Sequence, residues 1–144
     1  GQLLGGTGWL DFVVAETTTD ASASNLILFA LMPTHEIPGG SIIQFAGLTG
    51  STTSSYDVPA VGMFSGGTWT QDTGLLELTL APSSVVPAGA FTNVSFPLGN
   101  PSAGQIAVTP TVAAYDSGRT EIRAAKAASG GPVLGGSGWQ ALSV

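Results

Sequence analysis

LMPTHEIPGGSIIQF, Leu31 to Phe45, and LAPSSVVPAGAFTNV, Leu80 to Val94, are two versions of one pattern, displaced by 49 positions (Leu31 against Leu80). Each reads as the end of a strand, a proline, four residues, Pro-x-Gly and a new strand. Proline has no N–H to give to a ladder and belongs outside strand centres, and Pro-x-Gly joins a preset φ to a residue free to reverse the chain. Two such corners predict a pseudo-symmetric sandwich of two sheets. The alternative, two unrelated turns, predicts no symmetry.

Working outward from the corners, period-two alternation and Val, Thr, Phe and Leu runs punctuated by Gly and Pro indicate strands rather than helices. The expected strands are Trp9 to Glu16, Asn25 to Met32, Ser41 to Ala46, Thr68 to Gln71, Leu75 to Leu80, Ala90 to Leu98, Gln105 to Tyr115, Thr120 to Ala127 and Ser137 to Val144. The fold class is therefore all-β, a two-sheet Ig-like β-sandwich of roughly nine strands that a strand from a neighbouring unit can complete. Asp72-Thr73-Gly74 and Asp116-Ser117-Gly118 predict tight hairpins with glycine at the left-handed position. Leu76, Leu78 and Leu80 should face a core while Leu75, Glu77 and Thr79 face away. From Leu26 to Met32 both alternating sets are apolar, so this strand is expected to be covered on both faces, by loops of its own domain or by a neighbouring subunit.

A second repeat marks the ends: L-G-G-[TS]-G-W at Leu4 to Trp9 and again at Leu134 to Trp139, 130 positions apart (Leu4 against Leu134). That separation is too long for a hairpin and close to a domain length. Residues 1–144 read as a single β-sandwich domain in which 131–144 repeat the motif of 1–14 and belong to the junction with a next unit. After each Trp the alternation matches, Phe12 with Leu142 and Val14 with Val144, whereas Gln140 replaces Leu10 and Ser143 replaces Val13. The expected assembly interface is Leu4, Trp9, Phe12, Val14, Leu134, Trp139, Leu142 and Val144.

Charged residues make up 8% of the chain, against about 25% in an ordinary domain. Three Lys/Arg against nine Asp/Glu give a net charge of -6, which makes nucleic acid an unexpected partner. The longest apolar run, Leu26 to Met32, is far short of the roughly 20 residues of a membrane-spanning helix. The sequence from Gly1 shows no basic n-region and no apolar h-region, so any signal peptide is expected to have been removed or to lie outside this stretch, and secretion has to be argued from other features. The absence of cysteine excludes disulfides and thiolate metal sites.

Catalytic chemistry lacks material. His35 is the sole histidine and sits between Pro33 and Pro38, no nucleophile elbow, zinc-protease, phosphate-loop or dinucleotide motif occurs, and the carboxylates are scattered without a calcium-loop spacing. The chain is read as a non-enzyme with no catalytic, cofactor or metal residues. Asn93-Val94-Ser95 is an N-glycosylation sequon on a strand whose alternation turns Asn93 to solvent, and Asn100-Pro101-Ser102 is blocked by proline. Thr17, Thr18, Thr19, Ser51, Thr52, Thr53, Ser54 and Ser55 are candidates for O-linked sugar. A rival reading, a monomeric carbohydrate-binding or adhesin module, would use Trp69, Tyr56 or Tyr115 as stacking faces.

The runs IPGGSIIQFAGLTGS (Ile37 to Ser51) and GMFSGGTWTQDTGLLELTLAPSSVVPAGAFTNVSFPLGNPSA (Gly62 to Ala103) resemble the tandem β-sandwich repeats of very large secreted proteins of algae and other protists. The resemblance implies an extracellular or cell-surface tandem or polymeric sandwich whose partner is itself, and it carries over no chemistry. The duplicated end strand and sparse charge are also similar, in architecture alone, to glycosylated surface fibrils and pili whose subunits complete one another's sheets by strand donation. A structural subunit or repeat of such a filament, assembled head to tail by β-strand addition, is the leading functional expectation.

Overall fold

The computed structural model describes residues 8–18, 24–102, 105, 108–129 and 133–134. These form nine strands and no helix: β1 (Trp9–Glu16), β2 (Ser24–Pro33), β3 (Ile42–Ala46), β4 (Tyr56–Val58), β5 (Phe64–Thr70), β6 (Leu75–Leu80), β7 (Thr92–Gly99), β8 (Thr111–Tyr115) and β9 (Glu121–Ala127). A three-stranded sheet, β1-β2-β7, faces a six-stranded sheet, β4-β5-β6-β3-β8-β9. All ladders are antiparallel.

The two corners carry the chain between sheets, from β2 into β3 and from β6 into β7. Ile37 and Val86, the same position in the two copies of the corner repeat, pair with each other through Ile37 N–H to Val86 O at 2.9 Å and Val86 N–H to Ile37 O at 3.0 Å. Both side chains are fully buried. A local two-fold therefore runs between them and exchanges β2 with β6 and β3 with β7, the symmetry that the corner repeat predicts. Gly40 and Gly89 repeat the left-handed turn at φ 86° and 70°. Gly39 has a different reason to be glycine: a Cβ there would stand 2.4 Å from Pro82 O.

The core lies between the sheets. Phe12, Phe29 and Phe45 stack there, with centroids 4.2 Å apart for Phe29 and Phe45 and 6.2 and 6.0 Å for Phe12 against each. Leu76, Leu78 and Leu80 are buried as their alternation requires, and Leu75, Glu77 and Thr79 are half-exposed. Pro97 lies within β7, where an edge strand tolerates the missing N–H.

Several expectations are corrected. β4 was not legible, being three residues long with two of them exposed. β5 begins four residues before the expected Thr68, since its Gly66-Gly67 looks like a turn in sequence; a Cβ on Gly67 would meet the β6 backbone at Glu77 O. Of the expected Gln105 to Tyr115 strand the described residues form Thr111–Tyr115, since Pro110 interrupts the ladder, although Val108 bridges Val133; residues 106–107 lie outside the described residues. Ser137 to Val144 lies outside the described residues. At the first hairpin Gly74 takes the left-handed place, φ 66°, but at the second it falls to Arg119, φ 67°, because Asp116 Oδ1 accepts from the N–H groups of Gly118 and Thr120 and sets the loop. Among the described residues nothing covers the second face of β2: Ile27, Phe29 and Leu31 are buried, while Leu26 and Leu28 are 39% and 40% exposed.

Candidate functional site: two poles and an open edge

The chain enters the sandwich at the Trp9 end of β1. Trp9 pairs with Pro33 and sends its indole N–H across to Ala124 O on β9 at 3.0 Å, tying the two sheets together. Gly8, φ 91°, brings the chain in, its carbonyl accepting from both the N–H and the hydroxyl of Thr34 at 3.0 Å. The Arg123 side chain lies so close over Gly8 that a Cβ there would be 2.6 Å from Arg123 Cδ. Arg123 also donates to His35 O at 2.9 Å and Glu36 O at 3.4 Å, and burial pushes its guanidinium below its ordinary pKa. His35 itself is exposed, its Nδ1 3.1 Å from Thr34 Oγ1.

At the Glu16 end of β1 a polar cluster closes the opposite pole. Asn25 stands in phase with the inward-facing Ile27, Phe29 and Leu31 and is fully buried. Its Oδ1 accepts from Thr17 N, Thr17 Oγ1 and Thr18 N, and its Nδ2 donates to Glu16 Oε1 and Asn100 Oδ1, both at 2.8 Å. Glu16 Oε1 also accepts the N–H of Leu134 at 3.1 Å, and Gln105 Nε2 donates to Leu134 O at 2.9 Å. Leu134 is thus seated in the core at this pole, fully buried and in a left-handed backbone conformation, φ 62°. Sequence reading missed this cluster; the signal was an asparagine on the apolar face of a strand.

Of the expected assembly residues, Trp9, Phe12, Val14 and Leu134 are 6%, 0%, 1% and 0% exposed within this chain's own core. Leu4, Trp139, Leu142 and Val144 lie outside the described residues. β1 pairs with β2 of its own sheet, and its other edge is partly taken by Ser129, which exchanges main-chain hydrogen bonds with Phe12 and Val14.

The other edge of the small sheet is β7. Its Gly99 end is held by the segment 51–53: Ser51 Oγ and Thr52 N–H donate to Gly99 O at 2.7 and 3.1 Å, and Gly99 N–H donates to Thr53 Oγ1 at 2.8 Å. The Ser51 hydroxyl is consequently buried and engaged. Of the expected O-glycan set Thr17, Thr52, Ser54 and Ser55 are exposed residues, but the Thr17 hydroxyl donates to Asn25 Oδ1 and accepts from Leu26 N–H, and the Ser55 hydroxyl accepts from Gln71 N–H. Thr18 and Thr53 are half-buried, and Thr19 lies outside the described residues. Asn93 and Ser95 are exposed, with Val94 and Phe96 buried between and beyond them. Trp69, a proposed sugar-stacking face, is fully buried with its N–H on Thr53 O at 2.9 Å; Tyr56 is 39% exposed and stacks on Phe96, and Tyr115 is half-buried.

Among the described residues no group of three or more acidic or histidine side chains is placed to hold a metal ion, and no helix is long and apolar enough to cross a membrane. No family model matches the chain and no curated protein matches it. Among solved structures, the crystal structure of a family GH18 chitinase from Chromobacterium violaceum is similar at a TM-score of 0.42 and 11% identity, over 88% of this chain and 19% of the chitinase chain. A likeness at that level carries no argument about activity.

Proposed function

We propose that this chain is a structural repeat of an extracellular filament or surface fibril whose units join head to tail. The observation that carries the proposal is that Gly8 and Trp9 sit at one pole of the sandwich and Leu134 sits in the core at the other, and that in sequence each belongs to a copy of the same L-G-G-[TS]-G-W motif. On this reading Leu134 is the last core residue of one unit and Trp139 the first of the next, and Leu4 stands to a preceding unit as Leu134 stands to this one. Only Gly135-Gly136-Ser137-Gly138 separates them. Residues 137–144 then enter the following sheet in the place that β1 takes here, where main-chain hydrogen bonds supply affinity and Trp139, Leu142 and Val144 select the register.

Sparse charge suits a surface hydrated by hydroxyls and by covalent sugar, on Asn93 and on exposed threonines and serines such as Thr52 and Ser54. The partner is the chain itself, and no catalytic step is part of the reading. Imaging of the native assembly tests it. Along β1 the chain advances about 23 Å at ~3.3 Å per residue, Leu134 lies one glutamate side chain beyond, and the five links to Trp139 reach at most about 18 Å. The axial repeat should therefore not exceed roughly 50 Å. A longer repeat, or native material that stays a compact monomer at high concentration, overturns the proposal.

A further inference from the structure

The two sheets are unequal, three strands against six, so β7 ends the small sheet while the large one continues beyond it. Along an antiparallel edge, alternate residues turn their main-chain groups outward, and Gly99, whose N–H and C=O are met by residues 51–53, sets that phase. Pro97, Ser95 and Asn93 follow in the same phase. Pro97 has no N–H, and outside the β2 ladder no hydrogen bond from another described residue reaches Asn93 or Ser95. Grooves flank this stretch on both sides. One, about 420 Å³, lies on the outer face of the small sheet over Val13, Ala15, Leu28 and Ala30; the other, about 310 Å³, lies between Asn93–Ser95 and the turn Val61–Phe64 of the large sheet. The first groove is predominantly apolar, and an open strand edge bordered by such a groove is a template for uncontrolled pairing unless something covers it.

The covering group is indicated by the residue that stands between the grooves. Asn93 opens the sequon Asn93-Val94-Ser95, is exposed, and pairs with Ala30, which pairs in turn with Val13, so a single row leads from its amide across the apolar face. That row is about 10 Å long at the usual strand spacing. We propose that Asn93 carries an N-linked glycan whose first sugars lie along this row and screen the β7 edge, in the place of a further strand. The modification joins Asn93 Nδ2 to C1 of the first sugar and breaks that carbon's bond to the diphosphate of a lipid-linked oligosaccharide donor; the amide proton passes to base and the lipid diphosphate departs. The glycan closes the side of the sandwich to lateral pairing and leaves growth to the poles. This deepens the extracellular reading and rests on it, because such donors are met on the secretory route.

The test is secretion of the chain from N-glycosylating eukaryotic cells beside Ser95→Ala and Ser95→Thr variants, followed by intact-mass measurement. The wild type and Ser95→Thr should carry glycan mass on the peptide containing residue 93, and Ser95→Ala should not. Enzymatic removal of the glycan from the folded protein should leave its circular dichroism unchanged, raise binding of an apolar dye several-fold and produce side-to-side association in sedimentation. A wild-type mass equal to that of the bare chain overturns the proposal, as do dye binding and sedimentation that do not respond to deglycosylation. The axial repeat of the native assembly tests the filament reading separately and does not depend on any of these outcomes.

Discussion

If residues 139–144 enter a following sheet as β1 does here, then WQALSV must be an acceptable β1. The direct perturbation is to replace WLDFVV at 9–14 by WQALSV, which requires Leu10→Gln, Asp11→Ala, Phe12→Leu and Val13→Ser. Leu10 is 56% exposed and Val13 faces outward, so these two changes should each lie within about 0.5 kcal/mol of neutral. Asp11 Oδ1 accepts from Phe12 N–H at 2.8 Å and from Ser129 Oγ at 3.2 Å, and removing it should cost about 1 kcal/mol. Phe12→Leu keeps an apolar side chain in a site that is fully buried but gives up ring contacts with Phe29 and Phe45, a loss of about 1–2 kcal/mol. The total is near 3 kcal/mol, inside the 5–15 kcal/mol that a domain typically holds. Urea unfolding followed by tryptophan fluorescence should therefore show a folded chimera with a lowered midpoint and an unchanged slope. Phe12→Ala, which leaves a cavity, should cost about 3–5 kcal/mol on its own. A chimera that does not fold, or a Phe12→Leu loss as large as that of Phe12→Ala, would refute the equivalence of the two end strands and with it the junction.

Asn25→Ala should destabilise by about 2–4 kcal/mol, since it removes a fully buried amide that accepts from the N–H and hydroxyl of Thr17 and donates to Glu16 Oε1; thermal unfolding measures it, and a change under about 0.5 kcal/mol would mean that water replaces the amide. Glu77, held below its ordinary pKa by the Arg119 hydrogen bond against the opposing effect of burial, stabilises fully above the usual carboxylate range of about 4.3 and loses that contribution as pH falls through its lowered folded value. Acid titration of Glu77→Gln should lack that component, and a curve parallel to the wild type below about pH 4 would exclude the pair as its source.

What the sequence determined by itself is the part of the fold written in local periodicity. Alternation placed Leu76, Leu78 and Leu80 inward and Asn93 outward because side chains on a strand change sides at every residue. The repeated Pro-x-Gly corner foretold a two-fold because proline and glycine impose backbone angles wherever they stand. The tertiary structure decided what depends on partners distant in the chain. Only the meeting of Glu16, Asn25, Asn100 and Leu134 makes a buried asparagine tolerable and seats Leu134 opposite Trp9, and no local pattern encodes which pole a residue 125 positions later (Trp9 against Leu134) will reach. Ser51 passed for a loop hydroxyl until Gly99 O came within 2.7 Å, and Trp69 for a surface platform until the sheets closed over it. The same holds for Leu26 and Leu28: their apolar character is plain in the chain, but their exposure follows from a small sheet whose outer face no described residue covers.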